Sequence, residues 1–483
     1  MDLPKIQISP STRVAEIAFN GSPVQHAPSK APPRVLPRNT SLFGGDTPSP
    51  STTTDGTQSD QASDNIQNLA REPLLPYEIW QAIFYATLSS KLREETDFNY
   101  GDIFQDPETK KTLSNVRLVN RVWNSVATPL LFRHVQGVVG HSIGQPLAGI
   151  LKISQSPYAI YVRDVRVGFV GSWLRGMDYE GYVNELSSGG LTILASRFPN
   201  LQTIRIQSPT VVNTFVKGGQ IKPPALAKLT NSLVQTLRFV SIPRLKSLHI
   251  TLPTTSEFSR FFYLNSYAKE FEEVFKLLEE LHICINDDTG PDGRREPKWP
   301  RSVVKTMYPV GQYATYVVQL IGYTKNIKVL NLESRTWFDV SGLEAKGLTE
   351  LKHFRLEGVR LKDETLNVIL RKARNTLERI ELFHVRLMTG TWDGVFAQGT
   401  VPSNLIWLHV DTCGYSIAGS SAQFIAWISP PFQTSFWTTN TQDWLALTHW
   451  RMVVNTNRAL KGLLICPHCA VIQNSTAVAL QNP

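Results

Sequence analysis

The sequence predicts an α/β chain: a disordered N-terminal tail, a short all-helical unit, then irregular repeats that each supply one strand and one helix. Three observations carry this. Residues 1–70 almost lack periodic apolar residues, residues 75–135 carry them at helical spacing, and from residue 162 a short apolar segment recurs down the chain. The 483 residues then divide into a tail at 1–70, a helical unit at 71–136 with an insertion at about 89–111, a repeat region at 137–410 and a capping region at 411–483.

Composition sets the class. A hydrophobic fraction of 42% is enough to bury a sizeable core. A net charge of +9 spread over the whole chain is too dilute to point to nucleic acid. Four scattered cysteines do not make a disulfide framework, and the N-terminus lacks the basic-then-apolar layout of a secretory signal. No apolar run approaches the ~18 residues needed to cross a bilayer. The expected setting is intracellular, in cytoplasm or nucleus, with no membrane partner.

The tail, rich in Pro, Ser, Thr, Asp and Gln ("GGDTPSPSTTTDGTQSDQASDNIQ"), cannot offset its own ordering entropy. Thr47 and Ser49, each followed by Pro, are candidate phosphorylation sites within it.

Order is expected from "REPLLPYEIWQAIFYATL", where Leu75 and Pro76 precede Ile79, Ala82, Ile83 and Ala86 at helical spacing, with Pro76 in the first turn. After a polar stretch, "TLSNVRLVNRVWNSVATPLLFRHV" places Val116, Val119, Trp123, Val126, Ala127 and Leu130 on one helical stripe, which Pro129 is expected to break. About 60 residues of short helices make a marginal core, so some apolar surface is expected to find a cover.

These two blocks resemble the F-box, especially its fungal form. Leu75, Pro76, Glu78 and Ile79 match its start, and Val119, Arg121, Trp123 and Asn124 match its end. The chain departs from the pattern in the insertion and in having Asn120 where the family often has cysteine. The resemblance covers about one-eighth of the chain. It implies that Leu75, Pro76, Ile79, Ile83, Leu118, Val119 and Trp123 include the contacts to a Skp-type adaptor, some of them packing the unit itself.

The stretch "GHSIG" (140–144) fits the G-x-S-x-G pattern of a hydrolase nucleophile at Ser142. Such an elbow follows several strands of a parallel sheet. A disordered tail and a helical unit leave no room for them upstream, so a turn-rich loop is expected here and no enzyme activity is assigned.

Eight segments then read apolar-x-x-apolar-x-apolar: "VRDVRV" (162–167), "LQTIRI" (201–206), "LKSLHI" (245–250), "LEELHI" (278–283), "IKVLNL" (327–332), "LKHFRL" (351–356), "LERIEL" (377–382) and "LIWLHV" (405–410). The bare pattern is common, but the last four start 24, 26 and 28 residues apart, and two extend into near copies, "LKHFRLEGVRL" and "LERIELFHVRL". Between those copies Leu366, Ile369, Leu370 and Ala373 fall at helical spacing. One strand plus one helix per repeat resembles the leucine-rich repeat, in irregular form and mostly without its asparagine, and implies a solenoid whose strands align. The earlier segments, 33 to 49 residues apart, are expected to hold longer helices, as in "FEEVFKLLEE" (271–280).

His249, His282 and His409 each fall between the last two apolar positions of a segment, so strand alternation turns them away from the core. Aligned strands would place them with Arg205, Asn331, Arg355 and Glu381 on the concave face, as a candidate surface for a protein substrate. The aromatic-rich stretch from Trp427 to Val454 is expected to cap the last repeat. "CPHC" (466–469) lacks the second pair a structural zinc site usually needs and reads as two thiols near a surface terminus. "GRREPKWPR" (293–301) reads as a solvated insertion. No phosphate-binding loop or metal-spaced carboxylate set is present, and no cofactor is expected.

An F-box ahead of leucine-rich-like repeats resembles the substrate receptors of Skp–cullin–F-box ubiquitin ligases. That resemblance implies a Skp-type adaptor and, through it, a cullin and RING subunit as partners, with an unidentified protein substrate on the repeats. The other expectation is a repeat scaffold without a ligase role, in which the helices only cap the solenoid.

Overall fold

The computed structural model describes residues 76, 78–80, 82–83, 107–139, 146–169, 179–208, 223–262, 268–285, 310–398, 401–416, 436–438 and 440–469. The tail, Leu75, Ala86, Ser142 and the stretch at 293–301 lie outside them.

The chain is α/β and is built on a parallel sheet. Each of the eight recurring segments becomes a strand that starts two residues after the segment's first apolar residue. They are β2 (Asp164–Phe169), β3 (Thr203–Gln207), β4 (Ser247–Leu252), β5 (Glu280–Ile285), β6 (Val329–Asp339), β7 (His353–Leu361), β8 (Arg379–Phe383) and β10 (Trp407–Asp411). Ahead of them stands β1 (His134–Val139), and β9 (Arg386–Leu387), β11 (Cys413–Tyr415) and β12 (Phe436–Trp437) are short additions. From β1 to β7 every strand pairs with the next in sequence, always parallel. The sheet therefore begins three residues before the expected start of the repeat region and continues past its expected end.

Parallel neighbours require a crossover, and helices supply most of them. These include α3 (Pro146–Ser154), α4 (Tyr179–Glu185) with α5 (Leu191–Arg197), α6 (Pro223–Phe239), α7 (Ala268–Lys276), α8 (Ala314–Gly322) and α9 (Asp363–Lys372). In α9, Leu366, Ile369 and Leu370 are buried, as their spacing predicts. The helix expected over 271–280 ends earlier, at Lys276, because Leu278 is drawn into the core and Glu280 already pairs in β5. One continuous apolar core runs the length of the sheet. The first apolar residue of each segment, from Val162 and Leu201 to Leu377 and Leu405, is buried in it.

The helical unit has its own small core of Leu113, Val126, Ala127 and Leu130, with Trp80 and Trp123 packed against it. Three expectations fail here. The stripe from Val116 to Leu130 is not one helix but two, α1 (Pro107–Val116) and α2 (Arg121–Phe132), joined by a turn that holds Leu118 and Val119. Asn120 makes the break: its side chain caps α2 by accepting from the Trp123 N–H at 2.9 Å. Residues 107–111, read as part of the insertion, are the start of α1. Nor does Pro129 end the helix; α2 runs on to Phe132, since burial of Val126, Ala127 and Leu130 outweighs the one backbone bond that proline removes. Strand β1 follows almost at once, leaving no separate helix for "LLFRHV".

At the other end α10 (Trp392–Gln398) and α11 (Thr441–Leu460) close the core. Leu447, Trp450 and Val454 of α11 are buried at helical spacing, and the Trp450 indole donates to the Phe396 carbonyl at 2.6 Å. Asp443, also buried, accepts from the Asp393 N–H and the Tyr415 hydroxyl.

The last strands bend at one level. Gly358 in β7 has φ +64°, His384 between β8 and β9 has φ +51°, and Thr412 between β10 and β11 has φ +53°. The register on either side, Glu357 to Phe383 to Asp411 and Arg360 to Arg386 to Gly414, places the three left-handed residues side by side. A Cβ at Gly358 would sit 1.9 Å from the Ser334 carbonyl oxygen of β6, so only glycine fits. Gly358→Ala is expected to destabilise the fold by roughly 1–3 kcal/mol or more, read as a lower urea midpoint with an unchanged slope; an unchanged midpoint would show that β6 and β7 do not approach this closely.

Candidate functional site

The sheet's register assembles a polar row. Reading across partners one strand at a time, Gln136 faces Arg166, then Arg205, His249, His282, Asn331, Arg355, Glu381 and His409. All seven candidate face residues stand on this single line, one per strand. Residues one step to either side alternate to the other face and are core: Leu248 and Ile250 flank His249, and Leu281 and Ile283 flank His282.

Close spacing forces each residue to deal with its neighbours, because like charges directly opposite are destabilising. Arg166 donates to Gln207 at 2.9 Å and Arg205 pairs with Asp164 at 3.1 Å. The rings of His249 and His282 stack at 3.8 Å, and Asn331 meets His282 Nδ1 at 2.7 Å. Arg355 is held among Glu333 (3.1 Å), Glu357 (2.6 Å) and Glu381 (3.3 Å), and lies over the Phe383 ring. Glu381 is buried and also takes Arg379 and the Trp407 indole N–H. The candidate substrate contact at Glu381 is therefore a structural anchor for Arg355 and Arg379. Arg205 and Arg355 keep part of their side-chain surface accessible.

Burial dominates the protonation of the row. It pushes the His249 and His282 pKa values down, His282 to about 3, and nearby Arg205 acts in the same direction on both. His409 falls to about 4, through burial first and then His468. Burial raises Glu333, partly opposed by Arg355.

The row gains a member that the sequence pattern did not announce. His468 stacks on His409 at 3.7 Å and meets Trp407 edge-on. It belongs to "CPHC", whose two thiols are buried, not at the surface: Cys466 and Cys469 sit under β10, with Cys469 Sγ 3.6 Å from the Leu408 carbonyl. The Cys469 thiol hydrogen-bonds Cys466 and lowers the latter's pKa, while its own rises. Among the described residues the pair does not gather a third metal ligand.

The helical unit presents a second surface. Pro76 is exposed, and Ile79 and Ile83 are 46% and 41% exposed. Leu118 and Val119 are 82% and 67% exposed. Trp123 instead packs on Trp80, ring centroids 4.8 Å apart. Exposure thus separates the set that sequence could not: five of the candidate adaptor contacts face outward and Trp123 faces in. Trp80, overlooked in the sequence, is its partner.

Ser142 lies outside the described residues. The strand leading toward it, β1, is the edge of the sheet and the first strand among the described residues, so the strands that precede a nucleophile elbow are absent there. No helix among the described residues is long and apolar enough to cross a membrane.

No family model and no curated protein matches the chain. Among solved structures, a crystal structure of a Bacteroides fragilis protein is similar over 50% of this chain and 73% of its own, at 12% identity and a TM-score of 0.15. A likeness that low carries no argument about function.

The histidine shifts have a consequence for stability. With its folded pKa below the ordinary value near 6.5, His409 stays neutral while the unfolded chain takes up a proton, so stability rises with pH between about 4 and 6.5 and is lost as pH falls. His409→Gln removes that dependence. Between pH 7 and 5 the parent is expected to lose about 1 kcal/mol more than the variant, the full linkage value being roughly halved by solvent screening of this partly exposed ring, measured by urea unfolding at both pH values; equal losses would mean that His409 titrates normally.

Proposed function

We propose that the chain is the substrate-recognition subunit of a Skp–cullin–F-box ubiquitin ligase, its helical unit docking on the adaptor and its sheet face holding a protein substrate. The observation that carries this reading is the outward exposure of Ile79, Ile83, Leu118 and Val119 on a unit whose own core is already closed by Trp80, Trp123 and Leu130. Large apolar side chains left out of a satisfied core are what a docking surface offers. The run of parallel strands is consistent with a leucine-rich-like solenoid, the repeat type expected behind such a box, and its polar row is the surface on which a substrate would be read.

On this reading the chain performs no covalent step. It contributes proximity, turning an encounter between substrate and charged ubiquitin carrier into an effectively intramolecular one. Its setting would be the cytoplasm or nucleus. The scaffold alternative also has support: Phe132 of α2 stacks on Tyr158 at 4.4 Å, with Arg117 over both rings, so the helical unit packs on the turn ahead of β2 as a cap would. This packing uses Phe132 and Arg117 and leaves the four apolar residues exposed, and only docking needs those to be apolar.

Leu118→Asp with Val119→Asp tests the proposal without touching the core. Adaptor and cullin are expected to co-purify with the parent and to be lost, by roughly tenfold or more, with the variant, both showing the same helical circular dichroism. No recovery with the parent would leave the scaffold.

A further inference from the structure

In a parallel sheet, in-register residues of adjacent strands stand ~4.8 Å apart, and residues i and i+2 of one strand share a face. A residue, its i+2 neighbour and the in-register partner of one of them can therefore reach one point above the sheet. On β4 and β5 those three are His249, Glu280 and His282. His249 is in register with His282, and Glu280 precedes His282 by two. One ligand atom from each lies within 4.8 Å of the others, and it is the one such group among the described residues.

We infer that His249, Glu280 and His282 form a binding site for a divalent transition metal, zinc by donor type, with a fourth position open to water or an anionic group. Two imidazoles and a carboxylate are a recurrent zinc donor set. Tetrahedral coordination with bonds near 2.1 Å brings donors to about 3.4 Å from one another, and a metal lies near the plane of each imidazole it binds, so closing the site requires the two stacked rings to rotate out of their parallel arrangement.

The surroundings support it. Ser247 Oγ lies 3.0 Å from His249 Nε2 and can accept its proton, which leaves Nδ1 to coordinate; the Asn331 amide meets His282 Nδ1 at 2.7 Å and, turned to present its oxygen, would accept from Nδ1–H and leave Nε2 to coordinate. Such second partners orient metal-bound imidazoles. Among the described residues Glu280 has no ion-pair partner, whereas Glu279 beside it takes both Lys246 and Lys328. The nearest cations are already matched, Arg205 by Asp164 and Arg355 by three glutamates. The inference does not depend on the adaptor reading.

The test uses the untagged full-length chain, stripped with a chelator and dialysed against zinc, with bound metal counted by elemental analysis. Cobalt(II) serves as a spectroscopic substitute. The parent is expected to hold one zinc ion, and its cobalt form to show visible d–d bands without a thiolate charge-transfer band. Cys466→Ser with Cys469→Ser should keep the ion. His249→Asn with His282→Asn should lose it, and Glu280→Gln, a near-isosteric change at a partly exposed position, should weaken it by roughly tenfold or more. Absence of bound metal from the parent, retention by the histidine variant, an unaltered affinity in Glu280→Gln, or loss in the cysteine variant would each overturn the site.

Discussion

Everything else in this fold depends on the parallel backbone ladder staying in register. From β1 to β5 each strand pairs with the next without a slip. The first irregularity comes in β6, between Glu333 and Phe338. A shift of one residue in any strand would turn its core residues to solvent. The buried residue that opens each recurring segment opposes that shift, since it sets where the strand begins. Register is thus held from both sides, by the ladder and by the core.

The same constraint that builds the core builds the face. One residue per strand falls into a line, so chemistry spread over more than 200 residues of sequence becomes contiguous. The line mixes cations, neutral rings and carboxylates because like charges cannot stand ~4.8 Å apart without compensation. Where two arginines do adjoin, at Arg166 and Arg205, Gln207 and Asp164 take them up. Where two histidines adjoin they stack, at His249 with His282 and at His409 with His468. The face is consequently well ordered, and the half-buried Arg205 and Arg355 stand on a fixed base.

Much of this was legible in the sequence, and the reasons for the remainder are physical. The strands could be found because an apolar-x-x-apolar-x-apolar spacing repeats where a buried residue must precede each strand, and alternation then assigned His249, His282 and their companions to one face. The aligned bend could not be found, because three different residues fill it: glycine where the β6 carbonyl presses in, and His384 and Thr412 at equivalent levels where side chains are tolerated. Glu381 read as a surface acid because its partners Arg379, Arg355 and Trp407 come from three strands. The thiols of "CPHC" read as exposed because the chain that buries them lies 60 residues upstream. The division of the helical unit into inner and outer faces needed the turn that Asn120 imposes, since an unbroken helix would have put Val119 and Trp123 on the same side.

Register is the claim on which the fold, the row and the metal site all rest, and a covalent ruler measures it most directly. Thr251 of β4 is the in-register partner of Cys284 of β5, at a separation that a disulfide spans. With Thr251→Cys, mild oxidation of the folded chain is expected to close a bond between the introduced thiol and Cys284, seen by peptide mapping. His249→Cys, two residues out of register and about 7 Å away, should close none. Closure at 249 instead of 251, or at neither, would contradict the ladder.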